Sequence, residues 1–358
     1  MTAPRERERI AFVELWRLGD SIAATAGLCA LREARPDAEI ALVTHPEYGE
    51  PLRRTGVADR IIPFAAFWTR GKLPRDKYLP WTIDYGAVRR AWRALRAFRA
   101  HTHLLFRGDI REQLFCLSLR TGVVVDRTGG PTRSAWGVRA LPTAVHVPRY
   151  SEYVQQIRLW SGQAVDTKPT LLGVNRTVAV GRPGVIVHPG ASWKYKQWSA
   201  AKTASLLDIL QTQRIPVLLV GGQPDRDFVG QVQSLCCIPV PTAFPELDKF
   251  FELIAAADAI VCNNSAALHI AEAVGTPCVA LTGSSDPVRW GTYSPRSRTV
   301  CFSVGLPCHP CGEKRCVRPD RPCIEEIEVH DVVDALRAIG VRVDQRVNQP
   351  EVNLGASS

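Results

Sequence analysis

A carboxylate stands where a first predicted strand gives way to a helix. Asp20 follows an apolar run, Ile10 to Trp16, and precedes a stretch of small, helix-forming residues. A carboxylate at the end of a strand can act as a general base and accept the proton of a substrate hydroxyl. It can also cap the N-terminus of the helix, which we expect to begin at Ser21. The residue types leave both roles open, and the roles are not exclusive.

Two turns in the second half of the chain carry groups that bind phosphate. In HPGASWKYKQW, Gly190 and Ser192 follow a predicted strand, and Lys196 adds positive charge. In VGGQPDRD, Gly222 allows close backbone approach and Asp225 follows it. Backbone N–H groups and hydroxyls after a strand can meet phosphate oxygens. Neither segment contains the G-x-G-x-x-G or G-x-x-x-x-G-K-[ST] pattern, so each alone is a weak indication of a nucleotide site.

A third turn lies in CNNSAALHIAEAVGTP, where Asn264 and Ser265 stand at the start of a predicted helix. Ser265 can cap this helix or contact a ligand. His269 lies four residues on, and therefore on the same helix face. A lone histidine in an Ala-rich helix is more often an interior residue, but a helix N-terminus at a strand end favours ligand contact. Both interpretations stay open here.

Strands and helices alternate along the chain, which predicts an α/β protein with two doubly wound parallel sheets. The alternation lapses around Tyr150 to Thr170, and we expect a hinge near residues 160–175. The predicted division is residues 1–165, residues 166–340 and a polar tail, 341–358, that we expect to be disordered. Ligands of such sheets bind at the carboxyl ends of the strands, where the polar residues of both halves fall.

The positive charge is confined to the first half. The formal net charge is +10; residues 1–165 hold 26 Lys and Arg against 16 Asp and Glu, and the rest hold 19 of each. This favours an anionic partner, such as a phosphorylated glycolipid, a membrane surface or nucleic acid, although a solvated basic face is an equal alternative. No apolar run is long enough to span a bilayer and no secretory signal is evident, so we expect a cytoplasmic protein.

Four segments in this order and spacing resemble glycosyltransferase family 9, the bacterial heptosyltransferases of lipopolysaccharide core assembly. They are RLGDSIAATAGLCALREARPDAEI, HPGASWKYKQW, VLLVGGQPDRD and CNNSAALHIAEAVGTPCVALTGSSDPVRW. The resemblance covers residues 9–339. It implies a GT-B fold, with two Rossmann-like domains facing across a cleft, and an inverting reaction that needs no metal. It also implies that the second domain binds the nucleotide sugar and the first binds the acceptor.

The resemblance assigns roles residue by residue. Asp20 matches the general base of the family. The implied donor contacts are Gly190, Ser192, Lys196, Gly222, Asp225, Asn264, Ser265, Ala266 and His269. The implied acceptor contacts are Arg17, Arg107 and Asp109. The predicted partners are therefore ADP-heptose and an anionic glycolipid, with the protein peripheral to the inner face of the cytoplasmic membrane as an open alternative.

Two departures from the family pattern bear on the donor. The usual Asp-Ser-Gly is Asn264-Ser265-Ala266 here, and Asp225 stands where Glu is common. A second hypothesis is therefore another nucleotide sugar with a protein or small-molecule acceptor. A third is a non-catalytic protein that binds nucleotides or nucleic acid, which the presence of Asp20, Lys196 and His269 argues against.

Four of the eleven cysteines form a C-x2-C-x4-C-x6-C cluster: Cys308, Cys311, Cys316 and Cys323. In a reducing compartment this spacing favours a structural zinc or iron site, with His309 as a substitute ligand, over disulfides. Free thiols are the main alternative. Some members of the family that glycosylate proteins carry a four-cysteine iron site, but the chemistry of the family requires no metal. We expect the other seven cysteines to be small buried residues: Cys29, Cys116, Cys236, Cys237, Cys262, Cys278 and Cys301.

Overall fold

The computed structural model describes residues 7–69, 80–128, 135–144, 146–176, 183–311, 316–320 and 322–344. The chain divides into two compact units, Met1–Gly173 and Val174–Ser358. The division falls inside the predicted hinge range, and the boundary expected after residue 165 lies within the first unit. Among the described residues, no helix combines the length and apolar character needed to cross a membrane.

The first unit is a six-stranded parallel sheet flanked by helices, with strand order β3-β2-β1-β4-β5-β6. Its strands are β1 (Arg9–Glu14), β2 (Glu39–Thr44), β3 (Arg60–Pro63), β4 (Thr102–Leu104), β5 (Val123–Arg127) and β6 (Val138–Leu141). Its helices are α1 (Leu18–Ala34), α2 (Glu50–Arg54), α3 (Tyr85–Phe98), α4 (Ile110–Ser118) and α5 (Arg149–Ser161).

The second unit repeats the plan with strand order β12-β11-β10-β7-β8-β9, again all parallel. Its strands are β7 (Val185–His188), β8 (Val217–Val220), β9 (Thr242–Ala243), β10 (Ala259–Asn263), β11 (Cys278–Leu281) and β12 (Arg298–Val300). Its helices are α6 (Ala200–Thr212), α7 (Arg226–Leu235), α8 (Leu247–Ala256), α9 (Ala266–Val274), α10 (Pro287–Trp290) and α11 (Val329–Ala338).

Alternation along β1 shows how the sheet of the first unit is buried on both faces. Ile10 and Phe12 belong to one apolar cluster with α1 and α5. Ala11 and Val13 belong to a second cluster with α3. Because neighbouring side chains of a strand point to opposite faces, helices on both sides exclude water from the strand. We therefore look for polar chemistry at the carboxyl end of the strand, where the chain leaves the sheet.

Three expectations about the elements need correction. Helix α1 begins at Leu18, with Arg17 at its N-cap, so Asp20 is in its first turn and does not cap it. Residues 149–161, where the alternation was expected to lapse, form α5. The first residues of the expected tail are packed, because Val343 is buried and the Asp344 N–H donates to Gln213 Oε1 at 2.7 Å. Residues 345–358 lie outside the described residues.

Candidate functional site

Asp20 and Arg107 meet at the point of the first sheet where the strand order reverses. Strand β1 pairs with β2, the next strand in the chain, along one of its edges and with β4 along the other edge. Loops that leave two such strands diverge and open a crevice at the carboxyl edge. Asp20 follows β1 and Arg107 follows β4, and Arg107 Nη1 donates to Asp20 Oδ1 at 2.5 Å. The predicted base and a predicted acceptor contact are thus direct neighbours.

The environment of Asp20 favours the ionised carboxylate. The residue is 9% exposed and lies in the first turn of α1, where the helix dipole attracts negative charge. Arg149 of α5 adds a second cation, with its Nε 3.6 Å from Asp20 Oδ1. Two guanidinium groups therefore approach the same carboxylate oxygen.

A buried polar network lies beside this ion pair. The Tyr153 hydroxyl donates to Glu14 Oε2 at 2.5 Å and accepts from Arg149 Nη2 at 2.9 Å. Arg149 Nη1 also donates to Glu152 Oε2 at 2.5 Å. Burial raises the pKa of Glu14 above its ordinary value. The cations Arg107 and Arg149 oppose this rise, and the negative charge of Asp20 adds to it. The network holds Arg149 rigidly beneath the candidate base.

Glu112 of α4 adds a further buried carboxyl to the same edge. Its Oε1 accepts from Trp16 Nε1 at 2.7 Å. Burial, reinforced by Glu14 and Asp109, raises the pKa of Glu112 well above its ordinary value. The residue therefore holds its proton more strongly than an exposed glutamate does.

The other two predicted acceptor contacts differ from each other. Arg17 is exposed at the N-cap of α1. Asp109 is buried, and its carboxylate accepts from the backbone and side chain of Arg111 at the start of α4. Burial opposes ionisation of Asp109, whereas the hydrogen bonds from Arg111 favour it. The net result is that the pKa of Asp109 is lowered. The Asp109 carboxylate is thus engaged within the chain, whereas Arg17 faces solvent.

Analysis of the sequence missed four polar residues of this network. They are Glu14, Glu112, Arg149 and Tyr153. Glu14 offered a signal, since it is an acidic residue that ends an otherwise apolar strand. The other three lie on helices whose packing partners the sequence does not reveal.

In the second unit, all three predicted turns reach one edge of the sheet. They follow β7, β8 and β10, which are neighbours in the order β10-β7-β8. Because these strands are parallel, their carboxyl ends lie side by side, and the strand order reverses between β7 and β10. The sheet therefore gathers Gly190, Gly222 and Ser265 at its switch point.

Asp225 connects the first two turns. Its Oδ2 accepts from the Gly222 N–H at 2.9 Å. A Cβ added to Gly190 would lie 2.5 Å from the same carboxylate oxygen, so only glycine permits this approach. Burial lowers the pKa of His188, at the end of β7, and Asp225 opposes that change. Asp225 thus fixes the two glycine turns against each other.

Asn263, which the sequence analysis passed over for Asn264, anchors the loop after β7. Its Nδ2 donates to Pro189 O at 2.7 Å, and its Oδ1 accepts from Trp198 N at 3.2 Å. These contacts fix both ends of the segment that carries Ser192 and Lys196. Ser192 is exposed, and Lys196 Nζ lies 5.0 Å from the centroid of the Trp193 ring.

Ser265 stands at the N-cap of α9 without capping it. Its hydroxyl is buried and has no hydrogen-bond partner within the described part of the chain. Asn264 Nδ2 donates to Trp290 O at 2.7 Å, and the His269 ring lies 6.0 Å from the Trp290 ring. Ala266 opens the helix beside them. The start of α9 therefore offers a hydroxyl whose hydrogen-bonding capacity is unused within the described residues.

The four clustered cysteines line one cavity together with Tyr195 and Ser284. Burial raises the pKa of the Cys323 thiol, and its three partners add to the rise. Within the described ranges, which omit residues 312–315, no three His, Cys, Asp or Glu side chains are arranged to hold a metal ion. The thiols are gathered, but they do not form a ligand set.

Three of the seven remaining cysteines are buried as expected: Cys116, Cys262 and Cys278. The expectation is wrong for Cys237, which is exposed, and only partly met by the half-buried Cys29, Cys236 and Cys301. Cys237 follows the end of α7, where its backbone N–H donates to Asp208 rather than continuing an apolar element.

Comparison with known proteins agrees with this architecture. Lipopolysaccharide heptosyltransferase 3 of Escherichia coli is 35% identical over 124 residues, which are 32% of this chain and 35% of that protein. The chain thus spans about a third of the length of this curated relative. Lipopolysaccharide heptosyltransferase 1 of Pseudomonas aeruginosa is 24% identical over 351 residues, 90% of this chain and 91% of that protein.

The solved structure of ADP-heptose lps heptosyltransferase II from E. coli has a TM-score of 0.70 at 18% identity, covering 93% of this chain and 98% of that one. The fold is accordingly the two-domain GT-B fold, as the sequence predicted. The model of glycosyltransferase family 9 (heptosyltransferase) matches residues 137–320, just over half of the chain. The chain therefore belongs to glycosyltransferase family 9.

Proposed function

We propose that this protein is an inverting glycosyltransferase that transfers heptose from ADP-heptose to a lipopolysaccharide-core or related cell-envelope acceptor. One observation carries the proposal: each sheet presents the required groups at its own switch point. The first sheet presents the Asp20 carboxylate, and the second presents two glycine turns and a helix start. Membership of the family supports it, as does the structural similarity to the ADP-heptose lps heptosyltransferase II of E. coli.

The donor diphosphate would bind at the edge of the second sheet. Helix α9 directs its N-terminal N–H groups there, and Ser265 supplies a hydroxyl that is not otherwise engaged in the described residues. Ser192 and Lys196 would contact the diphosphate oxygens from the loop that Asn263 anchors. Positive charge and backbone dipoles that are already in place stabilise the charge that develops on the leaving group. We propose that these groups suffice for the transfer without a catalytic metal.

Asp20 would act as the base. The acceptor oxygen forms a bond to the anomeric carbon as the bond from that carbon to the diphosphate oxygen breaks. The proton of the acceptor hydroxyl passes to Asp20, and the diphosphate leaves with the electron pair of the broken bond. A single carboxylate meets this need, since inversion takes one displacement.

The acceptor would be anionic and the protein peripheral to the inner face of the cytoplasmic membrane. Helix α3 supports this, because Tyr85, Arg89 and Arg93 are exposed on one of its faces. Trp81, just before the helix, is 79% exposed. Aromatic and basic side chains together are typical of a helix that meets anionic headgroups. Residues 70–79, just before Trp81, lie outside the described residues.

A second candidate is transfer from another nucleotide sugar to a protein or small-molecule acceptor. The observation that favours it is the engagement of Asn264. Its amide donates to Trp290 O, and it carries no charge where the family pattern has an aspartate. A donor contact that depends on that carboxylate would therefore be altered.

A structural zinc or iron ion at the four cysteines is a separate proposal. The shared cavity supports it, whereas the described side chains do not form a ligand set. Elemental analysis of the purified protein tests it directly. We derive no step of the reaction from a metal at this position.

Calorimetric titration with ADP, UDP and GDP, and then with their sugar conjugates, tests the proposed donor. Preference for ADP and ADP-heptose supports the first candidate, and preference for UDP or GDP supports the second. No binding of any nucleotide would overturn both.

Asp20→Asn tests the base. We expect transfer to fall by at least about 100-fold, as for the loss of a general base, with nucleotide affinity unchanged. Asp84→Asn is a matched control, because Asp84 caps α3 through its side chain and asparagine caps equally well. If Asp20→Asn transfers sugar at the normal rate, the assignment is wrong.

A further inference from the structure

We propose that Arg107 is a positioning residue that holds Asp20 in an unreactive ion pair until an anionic group of the acceptor engages the Arg107 guanidinium. The inference rests on the proposed role of Asp20 and adds a condition for its action. The base would become effective only when an acceptor that carries a phosphate or carboxylate is in place. Donor hydrolysis by water would be suppressed in its absence.

The two arginines beside Asp20 differ in how firmly they are held. The Arg149 side chain is 2% exposed and donates to Glu152 and to the Tyr153 hydroxyl. Its guanidinium also lies 4.4 Å from the centroid of the Tyr153 ring. Arg149 therefore cannot leave Asp20 without breaking a buried network.

Arg107 has a different environment. Its side chain is 22% exposed. Within the described ranges, its single side-chain hydrogen bond is the one from Nη1 to Asp20 Oδ1. A guanidinium has five N–H donors in a planar fork, so four are not used by the described residues. Arg107 Cζ lies 4.5 Å from the centroid of the Trp16 ring, which supports the guanidinium without engaging its donors. Arg107 can therefore bind a second anion at the same place.

The ion pair weakens Asp20 as a base. A cation at hydrogen-bond distance stabilises the carboxylate and reduces its affinity for a proton. A phosphate or carboxylate competes well for arginine, because it accepts two parallel N–H bonds. Once such a group draws the guanidinium away, Asp20 regains basicity beside the hydroxyl that it must deprotonate. Arg149 remains and keeps the carboxylate in position.

Hydrolysis of the donor in the absence of acceptor gives the clearest test. Water attacks the anomeric carbon, the diphosphate leaves, and the proton of the water passes to Asp20, so ADP release reports the reaction. In Arg107→Gln we expect ADP release from ADP-heptose to rise about 3- to 10-fold, because the Asp20 carboxylate becomes a stronger base once the neighbouring cation is removed. Arg107→Lys retains the charge beside Asp20, so ADP release should rise less than in Arg107→Gln. Arg139→Gln, an exposed change on β6, is the matched control.

Two further measurements separate this role from a merely structural one. Inorganic phosphate should stimulate ADP release by the unaltered protein, because it engages Arg107, and should have no effect on Arg107→Gln. The acid limb of the pH profile of hydrolysis should shift to higher pH in Arg107→Gln. Glu14 of β1, Glu112 of α4, and Arg149 and Tyr153 of α5 still face the site in that variant and limit the shift.

The outcomes are distinct. A rise that disappears in Arg107→Gln combined with Asp20→Asn supports the inference. Suppose that calorimetry shows donor binding. The inference is then wrong, and the proposed function stands, if Arg107→Gln lowers hydrolysis or leaves it unchanged. The same holds if phosphate inhibits ADP release by the unaltered protein or has no effect on it. If the donor does not bind to the unaltered protein, the proposed function fails and this inference with it.

Discussion

Gly27 permits helices α1 and α5 to pack closely, and we predict that Gly27→Ala destabilises the first unit. A Cβ at this position would lie 2.7 Å from Tyr153 Cβ and 3.5 Å from Tyr153 Cγ. Non-bonded carbons pack best at about 3.5–4.0 Å, so the shorter contact falls short by about 1 Å. Tyr153 Cβ is attached to the backbone, and no rotamer change can move it. The helix α5 itself must shift.

The magnitude follows from two opposing effects. Replacing a glycine inside a helix by alanine stabilises by about 0.5–1 kcal/mol. Overpacking a tight contact costs about 1–3 kcal/mol. Because the Tyr153 contact is fixed by the backbone, we take the upper part of that range and expect a net loss of about 1–2 kcal/mol. The shift also moves Arg149 and Tyr153 away from Asp20 and Glu14, so sugar transfer should fall as well.

Gly230 provides the matched control. It lies in α7, and no heavy atom stands within 4 Å of a Cβ built there. Gly230→Ala should therefore show only the helix gain of about 0.5–1 kcal/mol. Native-state hydrogen exchange measures the opening free energy of α1 and α5 separately from that of α7, which a single unfolding curve of a two-unit protein does not. Unchanged or increased protection of α1 and α5 in Gly27→Ala would refute the packing argument.

Two further predictions concern the buried polar groups. Glu112 has a raised pKa in the folded protein, so its contribution favours folding at low pH and is lost as the pH rises through the folded pKa. Glu112→Gln keeps an acceptor for Trp16 Nε1 and removes the titration. Chemical denaturation at several pH values measures the free energy of unfolding. Between about pH 5 and pH 8, this free energy should fall less in Glu112→Gln than in the unaltered protein. An equal fall in both proteins would contradict the prediction. Asn263→Ala leaves Trp198 N without its side-chain acceptor and leaves Pro189 O with only the 3.5 Å hydrogen bond from Gln197 Nε2. The loss at Trp198 N costs about 1–3 kcal/mol, and ADP binding should weaken about tenfold by calorimetry. Gln233→Ala removes the hydrogen bond from the Gln233 amide to the Thr242 hydroxyl, which lies outside the three loops with candidate donor contacts. This control should leave ADP affinity unchanged, and equal losses in both variants would count against the anchoring role of Asn263.

The fold and the positions of the candidate residues follow from the sequence because both depend on local pattern. The strand predicted before Gly190 and Ser192 is β7, which covers Val185–His188. Helix α6 starts after Ser199, as its capping chemistry indicates. Strand–helix alternation then determines which turns share an edge, since parallel strands present their carboxyl ends together.

The partners of those residues could not be predicted, because they depend on tertiary contacts between distant segments. Nothing in the local sequence brings Arg149, in a stretch that shows no clear alternation, to the carboxylate of Asp20. The same holds for Asn263, since its two contacts lie 74 and 65 residues away along the chain. The start of α1 was misjudged by one turn because Arg17 forms the N-cap without a side-chain hydrogen bond.

The arrangement of the second sheet has a consequence for protein engineering. The candidate donor contacts lie in the loops that follow β7, β8 and β10 or in the first turn of α9, while the strands themselves are largely buried. Loop residues at a strand end can be exchanged without disturbing the apolar interior that sets stability. Nucleotide and sugar preference can therefore be redesigned by grafting these three loops, provided that Asn263 and Asp225 are retained to hold them. Libraries restricted to this edge would alter selectivity at little cost to expression.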